Sequence, residues 1–179
     1  MKQRSVKLRS VKLRSVRKSD LEIIRDWRNS QDGREFSTQF TLLNMKNQRK
    51  WFIEISKEES LRKMFVITVK GGNPIGVCGL INIDKENKSA DVAIILGEKN
   101  QRGKHFGSES LKLLVNYGFK KLKLHRIGAE IFEYNKRSVN LFEKLNFKLE
   151  ATMRDRLWRE GKWWDVYLYS ILSDDVNQL

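Results

Sequence analysis

The chain has 179 residues, 40% of them hydrophobic and 32% charged, which suffices for one buried core and is too short for two large domains. No run approaches the roughly 18 apolar residues of a bilayer span, and the basic N-terminus lacks the apolar stretch of a secretion signal, so a cytoplasmic protein without a membrane partner is expected. One cysteine, Cys78, and two histidines, His105 and His125, offer no internal disulfide and no recognisable metal cluster, while a formal charge of +14 favours phosphate-bearing partners, of which nucleic acid is one.

Residues 1–10 read as a basic extension and residues 11–179 as a single domain. The stretch VKLRS occurs twice, at residues 6–10 and 11–15. One copy is enough for a strand, and alternation of Val11 and Leu13 with Lys12 and Arg14 suits a half-buried first one. Ser19 with Glu22 forms a capping-box pattern ahead of Leu21, Ile24 and Trp27, which predicts a helix over residues 20–30. Residues 29–38 are polar and break the period before a second amphipathic stretch carrying Trp51, Phe52 and Ile55. From Met64 the period becomes two. Strands are expected at residues 64–69, 75–83 and 90–96, joined by turns at 71–74 and 84–88, as an antiparallel meander. A helix follows over residues 108–122, with Leu111, Leu114, Val115 and Gly118 on one face. A strand at 127–132, a helix at 136–145 and a hairpin at 147–157 and 163–172 complete the series. The order describes a mixed α/β or α+β domain.

Two segments carry chemistry. Residues 101–107, Gln-Arg-Gly-Lys-His-Phe-Gly, fall between a strand and a helix. Small residues there let backbone N–H groups converge on an anion at the positive end of the helix dipole, with Arg102 and Lys104 adding charge; an ordinary solvated turn fits the same residues. Residues 135–147 begin with Asn135 as a helix N-cap and place Lys136 and Arg137 in an exposed first turn.

In this order and at this separation the two segments resemble the GNAT superfamily of acetyl-CoA-dependent N-acetyltransferases. Residues 102–107 align with its Arg/Gln-x-x-Gly-x-Gly/Ala loop, and residues 135–147 with its Asn-x-x-Ser/Ala-x-x-x-Tyr-x-x-x-Gly-Phe pattern. Trp27-Arg28-Asn29, Trp51-Phe52 and residues 159–166 are similar to the branch that acetylates aminosugar nucleotides, ribosomal-protein N-termini and spermidine. The resemblance implies a mostly antiparallel sheet of about seven strands flanked by about four helices, acetyl-CoA as cosubstrate and no metal. It implies that Ile94, Ile95 and Leu96 pair with the pantetheine arm as an added strand. Amides of Arg102, Gly103, Lys104, His105, Phe106 and Gly107 would grip the diphosphate, and Asn135, Ser138 and Phe142 would complete the cofactor site.

The attacking amine must be neutral, so a carboxylate takes its proton. Glu130 is the first candidate, five residues before Asn135, where ribosomal-protein acetyltransferases carry a catalytic glutamate. Asp91, on the neighbouring strand, is the second. Taken alone, either one is more simply a solvent-facing or salt-bridged strand carboxylate. A backbone N–H near Ile95 is the expected oxyanion donor. Two positions depart from the family. His105 replaces the loop's middle glycine, so a less unusual backbone dihedral is expected there. Phe142 replaces a tyrosine that protonates the departing thiolate, and phenylalanine has no proton to give; Tyr134 or water is the stand-in.

The reading is therefore acetyl transfer to a small primary amine, an aminosugar nucleotide foremost because Arg25, Arg28 and Arg34 lie where an acceptor would be covered. Protein N-terminal acetylation is the alternative, and spermidine, a polycation, ranks third. Outside the enzyme class stand an inactive acyl-CoA binder and a nucleic-acid module using the basic arm with Trp158, Trp163 and Trp164, whose simpler role is packing the last hairpin. Pairing of two copies is left open.

Overall fold

The computed structural model describes residues 11–37 and 40–178; the predicted basic extension over residues 1–10 lies outside them. The second copy of the repeat forms β1 (Val11–Ser15), and its alternation is used as expected, with Val11 buried and Lys12 exposed. β1 pairs antiparallel with β2 (Lys63–Val69), which continues through β3 (Pro74–Asp84) to β4 (Ser89–Leu96) as a meander. β5 (Arg126–Phe132) joins β4 in parallel, the one parallel pair of the sheet. Beyond it lie β7 (Lys162–Leu172) and, at the edge, β6 (Lys148–Arg159), in the order β1-β2-β3-β4-β5-β7-β6.

Parallel neighbours need a crossover, which α4 (Phe106–Lys120) supplies. Leu111 and Leu114, spaced three apart, sit on the sheet against Cys78, Leu80 and Ile127. α5 (Lys136–Glu143) packs on the same core through Phe142. The opposite face is covered by α1 (Leu21–Asn29) and α3 (Met45–Ser56), where Ile24 and Trp27 meet Val66 and Val77. A full set of neighbours around each such side chain contributes about 1.5–3 kcal/mol of burial free energy, which is what fixes α1 on the sheet.

The predicted break at residues 29–38 contains a short helix, α2 (Gln31–Glu35). Ser30 Oγ accepts the Gly33 amide at 3.1 Å, and the same hydroxyl donates to the Trp27 carbonyl at 2.7 Å, so a cap rather than an apolar stripe makes this turn of helix. The described residues thus contain five α-helices, where about four were expected.

Candidate functional site

The β4–β5 ladder has three register pairs, Ser89 with Arg126, Ala90 with Ile127 and Asp91 with Gly128. Beyond them β4 stays with β3 and β5 stays with β7, so the two strands part and a V-shaped opening forms between residues 92–96 and 129–132. The Gly97 amide donates to the Ile75 carbonyl at 3.0 Å, and antiparallel bonding alternates by residue. Ile95, opposite Val77, therefore spends its backbone groups on β3, while those of Ile94 and Leu96 face the opening. Near Ile95, the N–H groups that face the opening are therefore those of Ile94 and Leu96.

The mouth of the opening is the loop at residues 101–107. Gly103 has φ 77°, and His105 has φ 66°, so the expectation of a less unusual dihedral at His105 is overturned. The chain here must turn left-handed to bring the amides of α4 round, and His105 accepts that conformation with its side chain exposed to solvent. His105 is also the N-cap of α4 but makes no side-chain cap hydrogen bond. The amides of residues 106–108 therefore meet no side-chain cap from His105. A β-carbon at Gly103 would meet nothing within 4 Å, whereas one at Gly107 would touch Leu96 Cδ1 at 3.4 Å. Lys104 reaches Gln101 Oε1 at 3.3 Å and stays exposed beside the loop.

Arg102, expected to add charge for a diphosphate, points elsewhere. Its Nη2 donates to the Leu96 carbonyl at 3.2 Å and its Nη1 pairs with Asp32 on α2. The Arg102 hydrogen bond, helped by Lys99 and Arg137, holds the Asp32 carboxyl below the usual carboxylate range. Trp27 Nε1 donates to Glu98 at 3.0 Å. These two contacts pin α1 and α2 against the loop, a role for Asp32 and Glu98 that no spacing in the sequence signals.

Glu130 and Asp91 project from the same sheet face, the one covered elsewhere by α1 and α3. Asp91 pairs with Gly128, and Glu130 lies two residues further, past the point where the strands part. Glu130 is exposed. Asp91 accepts a hydrogen bond from Asn82 Nδ2 at 3.0 Å, at the closed end of the V. Geometry thus separates the two carboxylates, one in the opening and one at its base.

Asn135 caps α5 through a 3.2 Å hydrogen bond from the Ser138 amide, as its residue type predicts. Phe142 is 3% exposed and stacks edge-on against Phe147, with centroids 4.8 Å apart. It shapes the core under the opening and offers no surface to a ligand. Tyr134 donates its hydroxyl proton to the Glu35 carbonyl at 2.7 Å, and burial raises its pKa.

Beyond Tyr134 lies an aromatic wall that no spacing in the sequence assembles. There Tyr134 packs between Phe36, Phe132 and Trp164. The Arg159 guanidinium lies over the Phe40 ring at 4.3 Å, and the Lys162 ammonium over Trp164 at 3.4 Å. Trp158 and Trp163 stack on each other at 5.0 Å but remain 51% and 55% exposed, so the last hairpin packs Trp164 and leaves this pair in solvent.

A family model described as an acetyltransferase (GNAT) domain matches residues 10–148. Among curated proteins, the uncharacterized N-acetyltransferase p20 of Bacillus licheniformis is 36% identical over 120 residues, spanning 67% of this chain and 67% of that protein. The spermidine N(1)-acetyltransferase of Vibrio cholerae is 28% identical over 121 residues, spanning 67% and 69%. The crystal structure of spermidine N-acetyltransferase from Vibrio cholerae in complex with CoA and spermine superposes with a TM-score of 0.88 at 23% identity, over 94% of this chain and 98% of that one. At that identity the likeness establishes the fold.

Proposed function

The chain belongs to the GNAT acetyltransferases, and on that premise we propose that it moves an acetyl group from acetyl-CoA to the primary amine of a small acceptor, an aminosugar nucleotide foremost. The observation that carries this reading is the β4–β5 opening, which has an exposed carboxylate on its open face and a left-handed loop with undercapped helix amides at its mouth.

The residues present fit the cosubstrate. The backbone groups of Ile94 and Leu96 face the opening as a strand edge for the pantetheine amides, and Leu96 is reached once Arg102 releases its carbonyl. Amides at residues 103–108 and the α4 dipole hold the diphosphate, with Lys104 as the exposed charge beside them. Asn135 and Ser138, joined at the cap of α5, complete the proposed cofactor site on the pantetheine side. Acetyl-CoA supplies the acyl group as a thioester whose thiol, with an ordinary pKa of about 8.5, leaves without a protein acid.

Glu130 takes the amine proton, directly or through one water, and thereby supplies a neutral nucleophile. The N–H of Ile94 or Leu96 donates to the carbonyl oxygen as charge develops there. Asp91 stays bound to Asn82 and acts on the charge at the base of the V. Similarity to the spermidine enzymes favours a polyamine as second acceptor class; the cations around Tyr134 weigh against it.

Calorimetric titration with acetyl-CoA, followed by turnover with aminosugar nucleotides, N-terminal peptides and polyamines, tests the reading. Saturable acetyl-CoA binding with amine-dependent turnover is expected. Absence of acetyl-CoA binding would refute it.

A further inference from the structure

Building on the acetyl-transfer reading above, we infer that Arg159 and Lys162 recognise a phosphate on the acceptor, so that the enzyme selects amines carrying an anionic group at the end remote from the amine. Along β7 the residues on the Glu130 face are Leu168, paired with Glu130, then Val166, Trp164 and Lys162; on β6 Arg159 stands opposite Lys162. One continuous face thus runs from the carboxylate to the two cations. Trp164 is four residues from Leu168, so its ring stands about 13 Å from the level of Glu130 at roughly 3.4 Å per residue. A pyranose whose amine and phosphate hang from opposite ring carbons, with a hydrogen bond at each end, fits that interval.

The state of the two cations is the second observation. Arg159 lies over Phe40 and Lys162 over Trp164, and neither pairs with a carboxylate among the described residues. Arg159 Nη1 donates to the Trp158 carbonyl at 3.0 Å, while its Nε is buried without a hydrogen-bond partner, as is Nε of Arg34 on α2. A buried guanidinium N–H left unmade is costly, and an oxyanion satisfies it. Aromatic faces hold the cationic heads in place without neutralising them, which keeps the charge available.

The acids nearby do not cancel this charge. Asp165 alternates with Trp164 and Val166 along β7 and so projects from the opposite face of the sheet, where it accepts the Asp155 amide at 3.0 Å, and Glu133 accepts the Asp165 amide at 3.2 Å. Glu35 and Glu160 remain, near enough to Tyr134 to act on its hydroxyl together with Arg159. Neither forms an ion pair with Arg159 or Lys162 among the described residues, so both cations remain open to a ligand. A polycationic amine meets repulsion there, and a phosphorylated one meets a clamp.

The test compares glucosamine, glucosamine 6-phosphate, UDP-glucosamine and spermidine as acceptors for the full chain, with acetyl-CoA affinity measured separately. A charge-assisted contact is worth about tenfold or more, so kcat/KM for the two phosphorylated amines should exceed that for glucosamine by at least ~10-fold, chiefly through KM. A UDP conjugate that outperforms glucosamine 6-phosphate adds a nucleoside contact; equal performance assigns recognition to phosphate alone. The double substitution Arg159→Gln with Lys162→Gln should erase the preference and leave the acetyl-CoA Kd within twofold. Glucosamine or spermidine used as well as the phosphorylated amines overturns the inference while acetyl transfer stands, and a preference that survives the double substitution overturns its assignment to these residues. Failure to bind acetyl-CoA sinks acetyl transfer itself.

Discussion

At the residue scale the account rests on Glu130, whose position past the parting of β4 and β5 distinguishes it from Asp91. Glu130→Gln should lower kcat/KM roughly 10²- to 10⁴-fold, the range for loss of a general base, and keep the acetyl-CoA Kd unchanged. Asp91→Asn should lose far less; the reverse ranking in steady-state kinetics would move the base to Asp91. Phe142 makes a second case. A hydroxyl added by Phe142→Tyr enters a site that is 3% exposed and packed on Phe147, where an unpaired polar group costs about 1–3 kcal/mol. A lower Tm with unchanged kcat is expected, and a raised kcat would show that the hydroxyl reaches the opening. Gly97 matters for space alone. A β-carbon there would stand 2.1 Å from Trp27 Cγ, so Gly97→Ala must displace α1 from the sheet and should cost about 2 kcal/mol or more in denaturant unfolding.

At the scale of elements, β6 is one of the two edge strands, tied back to β5 across β7 by polar contacts. Arg126 Nη1 donates to Glu150 at 2.7 Å and Ser170 Oγ donates to the same carboxylate at 2.5 Å. These bonds, Arg126 first, pull the Glu150 pKa from 4.5 down to about 2. A carboxyl depressed in the folded state adds stability above its unfolded pKa and loses it as pH falls toward the folded value. The tie is thus complete above about pH 4.5 and fades toward pH 2, and because both partners are partly exposed its worth stays below ~1 kcal/mol. Glu150→Gln should flatten the fall in Tm across that window, and an unchanged pH profile would show the tie to be idle. The strands and the longer helices were legible because period two and period 3.6 write themselves into burial: Val11, Leu111 and Leu114 face inward as their spacing demands. α2 was not, since five residues around Gly33 show no apolar stripe and owe their helix to the Ser30 cap. The diphosphate loop was legible as a motif, but the direction of Arg102 was not, because its partner Asp32 is 70 positions away in the chain.

At the scale of the whole molecule, the formal charge of +14 gathers anionic ligands, and salt should weaken that gathering. The acetyl-CoA Kd should rise as ionic strength increases from 0.01 M to 0.15 M, a range over which the Debye length shrinks from about 30 to 8 Å. Charge alone left nucleic acid, phosphorylated metabolites and CoA equally open. The fold decides among them by where it splits its own sheet, a long-range event that no local pattern in β4 or β5 announces. The most direct measurement is free-thiol release from acetyl-CoA by the full chain with UDP-glucosamine as acceptor, beside Glu130→Gln. Thiol should appear with the amine present, equal in amount to the acetylated sugar, and fall at least a hundredfold in the variant. Acetyl-CoA bound tightly with no thiol released, whichever amine is supplied, would contradict the account and mark the opening as a binding site without catalysis.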